Sequence, residues 1–479
     1  MSVPPREIVG VEIQQSHLES AQELVAAASS TRLRFERANV FQMHFGRDIT
    51  WAEPGPLLVV GNPPWVTNAE LGSLGGENLP RKNNIRKLRG IDALTGDSNF
   101  DIAESIWLKL INELAEHRPT IALLCKSSVA RNVIQFAHQF GLSISNASLR
   151  LIDAKAWFGV SVDACLLRLD VGAGRTSYEI AVFDGLEARK PMRVAGIVNG
   201  ELVPDVKLYE LSAYADGKCP LTWRQGVKHD AAGVMEIRAT PSGLRNASGE
   251  AVGVEDQYVY PLLKGTDLFT TDCTSPHLRV IVTQRQLGEE TSKLQVAAPN
   301  LWRYLTAHQE IFEKRKSTIY RNQPPFAMFG VGAYSFSNYK VAVSGFHKTI
   351  RFRAIGPFER RPVLLDDTCY LVPCSSMRQA ALLAALLNAP QCMKFLGSIV
   401  FWDAKRPVKK SVLQRVNLGA ILDMMSRDDL LARADRELET MVHGSSELGT
   451  WPGSLEEVLF SSDFDGGGPP LQDTFESQW

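Results

Sequence analysis

The segment Leu57-Leu58-Val59-Val60-Gly61-Asn62-Pro63-Pro64-Trp65 decides how the first third of the chain is interpreted. It is an apolar run of strand length that ends in glycine and continues into Asn, two prolines and an aromatic residue. Ligand chemistry in open α/β sheets collects at the carboxyl ends of strands. Proline fixes φ and has no backbone N–H, so such a loop presents its carbonyl groups rigidly. The segment therefore predicts a strand with a functional loop at its carboxyl end.

The residue types in this loop suit the activation of an aromatic amine. The exocyclic nitrogen of adenine or cytosine delocalises its lone pair into the ring, which makes it a poor nucleophile. The side-chain oxygen of Asn62 and the carbonyl of Pro63 would each accept one amine hydrogen and draw the nitrogen toward a tetrahedral geometry. Trp65 would stack on a base swung out of a duplex. The structural alternative is a proline turn with a packed Trp65. A second Pro-Pro-aromatic segment, at 324–326, has no apolar strand before it, and we interpret it as an ordinary loop.

The pattern around this loop predicts an α/β sheet domain over residues 1–172, because short apolar runs alternate with amphipathic stretches. Predicted strands cover 8–13, 57–61, 120–125 and 164–169. Predicted helices cover 16–29 and 101–115, with Ser16 and Asp101 as their N-caps.

The rest of the chain has a different composition and a different pattern of predicted elements. Residues 173–206 are predicted to connect the sheet domain to a mixed α+β domain at 207–443. Within it, strand-like runs at 279–283 and 340–344 and an Ala- and Leu-rich helix at 376–387 are the clearest elements. Residues 444–479 are rich in Ser, Gly and acidic residues, which predicts a flexible tail.

Composition excludes several classes of protein. The 479 residues contain 52 Lys and Arg against 53 Asp and Glu, so no global basic field indicates a non-specific nucleic-acid coat protein. Seven cysteines without a Cys-x-x-Cys pair predict neither a disulfide framework nor a metal site, and fit a reducing cytoplasm. No signal core or unbroken apolar span is present, so no membrane association is expected.

Asn62–Trp65 resembles motif IV of the gamma-class N6-adenine DNA methyltransferases, including restriction–modification methylases that join recognition to catalysis. The resemblance implies a Rossmann-like class I methyltransferase sheet followed by an α+β target-recognition domain. It also implies S-adenosylmethionine as methyl donor, double-stranded DNA as substrate, and base flipping. Asn62, Pro63, Pro64 and Trp65 would form the catalytic loop.

The resemblance extends to residues that would bind the cofactor. Glu12 stands where the family has the acid that holds the ribose hydroxyls, and a carboxylate after a strand is a common way to bind a ribose. Asn39 stands where the family usually has an Asp that accepts from the adenine amine, and Phe41 would pack on the adenine. A surface acid at Glu12 and a core phenylalanine at Phe41 are the structural alternatives.

Residues 156–164 resemble motif VIII, in which an aromatic residue, here Phe158, forms the other wall of the flipped-base pocket; a core phenylalanine is the alternative. The segment 260–267 resembles one that recurs in the recognition half of these enzymes. Two groups of cations are predicted to contact DNA phosphates, with a solvated charged surface as the alternative. They are Arg81, Lys82, Arg86, Lys87 and Arg89 after the catalytic loop, and Lys405 and Arg406 in the second domain.

One departure from the family pattern concerns the cofactor. Members carry a Gly-rich loop about twenty residues before the ribose-binding acid. Only eleven residues precede Glu12, and Gly10 is the single glycine among them. We therefore expect the first strand and its loop to be missing from this chain, and the chain alone to bind S-adenosylmethionine weakly.

The resulting expectation is a site-specific N6-adenine DNA methyltransferase of a restriction–modification or related defence system. A restriction endonuclease, or a partner that supplies the missing segment, is the expected protein partner. Two alternatives remain. Protein glutamine and RNA methyltransferases use the same kind of loop, although a second domain of the size of 207–443 is rare among them. A non-catalytic DNA-specificity subunit is the other.

Overall fold

The computed structural model describes residues 5–25, 31–65, 101–160, 162–269, 275–441 and 451–460. The cations predicted between positions 81 and 89 lie outside these ranges, as does most of the predicted tail. The chain divides into two compact units with the boundary between Lys207 and Leu208.

The described residues of the first unit form two sheets. A parallel pair is formed by β1 (Glu7–Glu12) and β2 (Arg32–Arg37). The strands of the larger sheet are, in chain order, β3 (Leu58–Gly61), β4 (Thr120–Lys126), β5 (Ile144–Asp153), β6 (Asp163–Val171), β7 (Ile180–Phe183), β8 (Arg193–Val198) and β9 (Glu201–Val203). Their order across the sheet is β3-β4-β6-β5-β7-β8-β9. Residues 173–206, predicted to be a connection, thus contribute three strands.

Strand direction places the predicted loops at one edge of this sheet. β3 is parallel to β4, with Gly61 opposite Leu123. β6 is antiparallel to both β4 and β5, and its residue Ala164 lies opposite Lys126 on one side and Ile152 on the other. The carboxyl ends of β3, β4 and β5 therefore share an edge, and the segments that follow β3 and β5 begin there.

Helices cover the sheet and supply the core of the first unit. They are α1 (Gln15–Val25), α2 (Phe45–Asp48), α3 (Ile102–Glu113), α4 (Ser127–Gln139), α5 (Ala154–Phe158) and α6 (Val206–Glu210), which crosses the boundary. α4 packs on β4, β5 and β6, and α3 packs on α4. Trp107 of α3 and Ile134 of α4 are completely buried.

The two predicted helix caps have different outcomes. Asp101 is the N-cap of α3, because its Oδ1 accepts from the N–H of Ala103 at 3.0 Å, which confirms the prediction. The cap predicted at Ser16 is wrong, since α1 already begins at Gln15. The Nε2 of Gln15 donates to Glu19 at 2.8 Å, so Glu19 pairs with a residue one turn earlier and forms no capping box with Ser16.

The second unit is a mixed α+β structure, and its described part contains two sheets. The strands are β10 (Arg224–Gln225), β11 (Glu236–Thr240), β12 (Gly243–Arg245), β13 (Val259–Leu263), β14 (Leu278–Ile281), β15 (Tyr339–Ser344), β16 (Arg353–Ile355), β17 (Leu364–Leu365) and β18 (Cys369–Cys374). Four form the order β10-β18-β15-β16, and five form the order β12-β11-β14-β13-β17.

The helices of the second unit are α7 (Ala232–Met235), α8 (Leu294–Ala297), α9 (Pro299–Ala307), α10 (Gln309–Glu313), α11 (Met377–Leu387), α12 (Pro390–Ile399), α13 (Lys410–Leu413), α14 (Leu418–Asp423), α15 (Arg427–Met441) and α16 (Leu455–Leu459). α11 packs on α15, β15 and β16. Among the described residues no single helix is long and apolar enough to cross a membrane; α11 and α12 reach that length only together, with a 60° bend between them.

The observed architecture confirms the predicted class, an α/β sheet unit followed by an α+β unit. The strands predicted at 8–13, 57–61, 120–125 and 164–169 are present as β1, β3, β4 and β6. The Ala- and Leu-rich helix is present as α11, capped by Ser376, whose hydroxyl accepts from the N–H of Gln379.

Candidate active site

Two predicted aromatic side chains lie together at the carboxyl edge of the larger sheet. Trp65 follows β3, and Phe158 is the last residue of α5, which follows β5. Their ring centroids are 6.2 Å apart and the ring planes meet at 80°. This edge-to-face geometry is a favoured arrangement of aromatic pairs. Phe158 remains 47% exposed, so much of its ring is open to a ligand.

Local sequence explains why each ring is held there. After Gly61, neither Pro63 nor Pro64 has an N–H to continue the ladder with β4, so the chain leaves the sheet. α5 is fixed at both ends. Asp153 caps its start by accepting from the N–H groups of Lys155 and Ala156, and Gly159 ends it at φ 70°, a conformation that suits glycine.

The loop between these rings offers both acceptors and a donor. Asn62 is exposed, and Pro63 and Trp65 are half-buried. The indole Nε1 of Trp65 is buried and has no hydrogen-bond partner within the described parts of the chain. Leaving a buried donor unpaired costs about 1–3 kcal/mol. The site therefore combines open acceptors on Asn62, a stacking surface, and an N–H that a ligand atom would satisfy.

The predicted cofactor residues lie at the carboxyl edge of the two-stranded sheet. Glu12 ends β1 and Asn39 follows β2, and the N–H of Ala38 donates to the carbonyl of Glu12 at 3.1 Å. Glu12 Oε1 accepts from the N–H groups of Ile13 and Gln14, both at 2.8 Å. Its Oε2 has no partner among the described residues, so one carboxylate oxygen is open to a ribose hydroxyl.

Asn39 and Phe41 are joined by a local hydrogen bond. The Oδ1 of Asn39 accepts from the N–H of Phe41 at 3.0 Å, which occupies one of its two lone pairs. The second lone pair can still accept from an adenine amine. Glu12, Asn39 and the half-buried Phe41 thus fit the nucleoside half of S-adenosylmethionine.

Gly10 has a packing role in the two-stranded sheet. It lies opposite Phe35 in the β1–β2 pair, and a Cβ on Gly10 would approach the Phe35 ring to 2.6 Å. Its small size is therefore needed for strand packing. In the described stretch before Glu12 no glycine-rich turn is present to enclose the methionine half of the cofactor.

A buried polar cluster at the same sheet edge as the Asn62–Trp65 loop was not predicted as a functional feature. The Nζ of Lys126, at the end of β4, contacts Asp101 Oδ2 at 2.9 Å and ties the start of α3 to the sheet. Glu104 is buried one turn later and accepts from the Nδ2 of Asn132 on α4 at 2.5 Å. Burial raises the pKa of Glu104 to about 7. No sequence signal marks Glu104, because its charge state depends on packing.

The cations predicted in the second unit differ in their surroundings. Lys405 is exposed. The guanidinium of Arg406 donates to the carbonyl of Asp367 at 2.9 Å, and its carbon lies 4.5 Å from the centre of the Phe346 ring and 5.7 Å from that of Tyr370. Arg406 is therefore anchored to the protein by contacts with three residues.

The segment 260–267 also has a packing role. A Cβ on Gly265 would lie 2.6 Å from the Oγ of Ser344 and 2.8 Å from the Oγ1 of Thr368. The N–H of Gly265 donates to that Oγ1 at 2.9 Å. Glycine is required here because two strand ends approach the turn closely.

Comparison with known proteins identifies the family. The Type II methyltransferase M.NspV from Nostoc sp. is 37% identical over 417 residues, covering 87% of this chain and 86% of the relative. The chain belongs to the Type II methyltransferases. No family model matches the sequence. The predicted kinship with restriction–modification methylases is thus confirmed at the level of Type II methyltransferases.

The fold of this Type II methyltransferase is shared with a solved restriction–modification enzyme. The Type IIL enzyme MmeI, determined in complex with DNA, is 13% identical and superimposes with a TM-score of 0.50 over 88% of this chain. The chain spans 58% of the MmeI chain. At this identity the likeness concerns the fold alone, and it confirms a methyltransferase fold with an additional domain.

Proposed function

We propose that this Type II methyltransferase transfers a methyl group from S-adenosylmethionine to N6 of adenine within a specific DNA sequence, in a restriction–modification system. The observation that carries the proposal is the Trp65–Phe158 pair, 6.2 Å apart, directly after Asn62-Pro63-Pro64. The name of the Nostoc relative and the DNA complex of MmeI support a DNA substrate.

The described residues would act on the base as follows. Asn62 Oδ1 and the Pro63 carbonyl accept the two amine hydrogens and hold the nitrogen lone pair toward the methyl donor. Because the ring planes of Trp65 and Phe158 meet at 80°, a base stacked on the face of one ring meets the edge of the other. Pro64 keeps the loop away from the sheet. No covalent nucleophile is needed, since alignment of the amine with the donor accelerates direct transfer.

S-adenosylmethionine, when bound, supplies an electrophilic methyl group on a sulfonium. Glu12 would hold its ribose, and Asn39 and Phe41 its adenine. The proposed DNA contacts are the exposed Lys405 and the cations between positions 81 and 89. Arg406 would act through its position beside Phe346 and Tyr370.

The open strand edges of the first unit favour a partner for the cofactor site. β1 and β3 each pair on one side only within the described chain. Leu58 and Val60 of β3 are 60% and 69% exposed, although they are apolar. An unpaired apolar strand edge is a template for another strand. We propose that a strand from a partner protein pairs there and completes the methionine end of the site.

The decisive experiment expresses the full chain, together with the proposed strand-supplying partner, in a host without adenine methylation and measures methylated nucleosides by mass spectrometry. N6-methyladenine is expected, and N4-methylcytosine would overturn the assignment of the base. Asn62→Ala should abolish methylation while the melting temperature stays at the wild-type value. Asn322→Gly is the control, because Asn322 is separated by one residue from the second Pro-Pro-aromatic segment, at 324–326, and its φ of 60° suits glycine.

Calorimetric titration with S-adenosylmethionine tests the cofactor site separately. The purified chain should bind weakly, and a strand-supplying partner should restore binding. Low-micromolar binding to the monomeric chain alone would contradict the proposed partner. Specific DNA binding without any methyl transfer, with or without a partner, would instead favour the non-catalytic specificity subunit.

A further inference from the structure

The second unit contains a cavity of about 190 Å³ beside the end of β14. The chain that leaves β14 continues through Thr283 to Arg285, and Val282 donates its N–H to the carbonyl of Tyr258 at 2.8 Å, which closes one wall. Tyr260 and Thr283 are buried in the lining, while Arg285 is exposed at the rim. The cavity therefore has buried neutral walls, and the charged side chains in its lining are Arg285, Glu289 and Lys293.

The guanidinium of Arg285 is held in one position. Its Nη2 donates to the hydroxyl of Tyr260 at 2.6 Å. Its carbon lies 4.5 Å from the ring centre of Phe336 and 5.4 Å from that of Tyr260, and these two rings meet edge to face. No carboxylate in the described part of the chain pairs with Arg285. Most of its five N–H donors thus remain available to a ligand.

The loop that carries Arg285 is also rigid. The side chain of Gln284 donates to the carbonyl of Glu289 at 2.6 Å and accepts from the N–H of Met328 at 2.7 Å. The Glu289 carboxylate accepts from Lys293 and from the N–H of Arg285. Although burial raises the pKa of Glu289, these bonds outweigh it and hold that pKa below its ordinary value. A preorganised group loses little conformational entropy when it binds.

The charges around the cavity discriminate between DNA groups. Besides Arg285, the cavity is lined by the ion pair of Glu289 and Lys293, so it presents a carboxylate acceptor beside the arginine donors. A base edge combines acceptors with donors and suits both groups. The arginine fork matches O6 and N7 of guanine, the commonest specific protein–DNA contact. Resting on the proposed function, we propose that Arg285 reads a guanine of the recognition sequence and that Tyr260 is its positioning residue.

The test is selection of bound duplexes from a randomised pool by the full chain and its variants. Wild-type protein should enrich a sequence that contains an invariant G·C pair. Arg285→Ala should enrich the same sequence with that single position relaxed, a loss of about 5- to 150-fold in discrimination at that pair. Arg303→Ala, which removes an exposed arginine on α9, is the matched control and should leave every position unchanged.

Tyr260→Phe keeps the ring and removes only the hydroxyl, so it tests positioning without a risk to folding. It should weaken the preference at the same pair and leave the melting temperature unchanged. Binding that weakens equally for all sequences, together with a slope of log affinity against log salt that is smaller by about one, would indicate a phosphate contact. That result would overturn base reading by Arg285. An unchanged selection by both variants would also overturn it. If wild-type protein selects no sequence, the proposed DNA-recognition function itself fails.

Discussion

Lys340 of β15 allows a quantitative test of how the second unit is packed. Its side chain is completely buried, and its Nζ donates to the carbonyl oxygens of Ser335 at 2.9 Å and Val363 at 2.6 Å. Burial in this apolar setting lowers the pKa of Lys340 from 10.5 to about 7. The folded protein therefore resists protonation of Lys340 over a range in which the unfolded chain accepts it.

The sign and size of the effect follow from proton binding. Between pH 7 and 10.5 the unfolded chain binds one more proton at this lysine, so stability rises with pH. The slope approaches 1.4 kcal/mol per pH unit, which amounts to about 2 kcal/mol between pH 7 and 9. Lys340→Met removes this dependence but leaves two carbonyl groups without their donor, at a cost of about 1–3 kcal/mol that does not vary with pH.

Urea unfolding of the wild-type protein and Lys340→Met at pH 7, 8 and 9 measures the difference. The variant should lose about 2 kcal/mol relative to the wild type as the pH rises from 7 to 9. Comparing the two proteins cancels the opposite effect of buried thiols such as Cys374, whose pKa burial raises to about 12. Lys314→Met, at a lysine side chain that is 76% exposed, sets the baseline for lysine replacement. A difference that stays constant with pH would refute the reasoning.

Two further predictions concern the first unit. Glu104→Gln should stabilise the protein by about 2–3 kcal/mol at pH 8 and by little near pH 4.5. Burial raises the pKa of Glu104 from 4.5 to about 7, so between these pH values the folded protein keeps a proton that the unfolded chain releases. Thermal melts across that range measure the effect, and a pH-independent difference would contradict it. Phe158→Ala should lower kcat/KM for methyl transfer about 5- to 150-fold through lost base stacking, with Phe158→Tyr near wild type. Equal activity of Phe158→Ala would remove Phe158 from the base pocket.

The sequence predicted those strands that consist mainly of apolar residues. β1, β3, β4 and β6 are runs of Val, Ile and Leu, and each was located to within a few residues. β2 was missed because four of the six residues in Arg32–Arg37 are charged and only Leu33 and Phe35 are apolar. It is the outer strand of a two-stranded sheet, and charged side chains are common at such edges. β5 was missed because serine and asparagine interrupt its start.

In the candidate site, too, the sequence revealed features formed by consecutive residues and missed those formed by residues far apart in the chain. Asn62–Trp65 was found because its chemistry is contained in four consecutive residues. The position of Phe158 beside Trp65 follows from strand order, which the sequence does not display directly. Glu104 and Arg285 were not found at all. The raised pKa of Glu104 comes from burial, and the fixed position of Arg285 comes from an aromatic wall. In both cases the surrounding residues are far apart in the chain.

The two proposed functions of the chain depend on separate sets of contacts. Trp65 and Phe158 are fixed by the prolines after β3 and by the caps of α5, all within the first unit. Arg285 is fixed by Tyr260 and Phe336, within the second. Neither set shares a residue with the other. Substitutions at Arg285 should therefore change which DNA sequence is methylated while the methylated atom stays N6 of adenine. Recognition can diverge among relatives without any change in the catalytic loop.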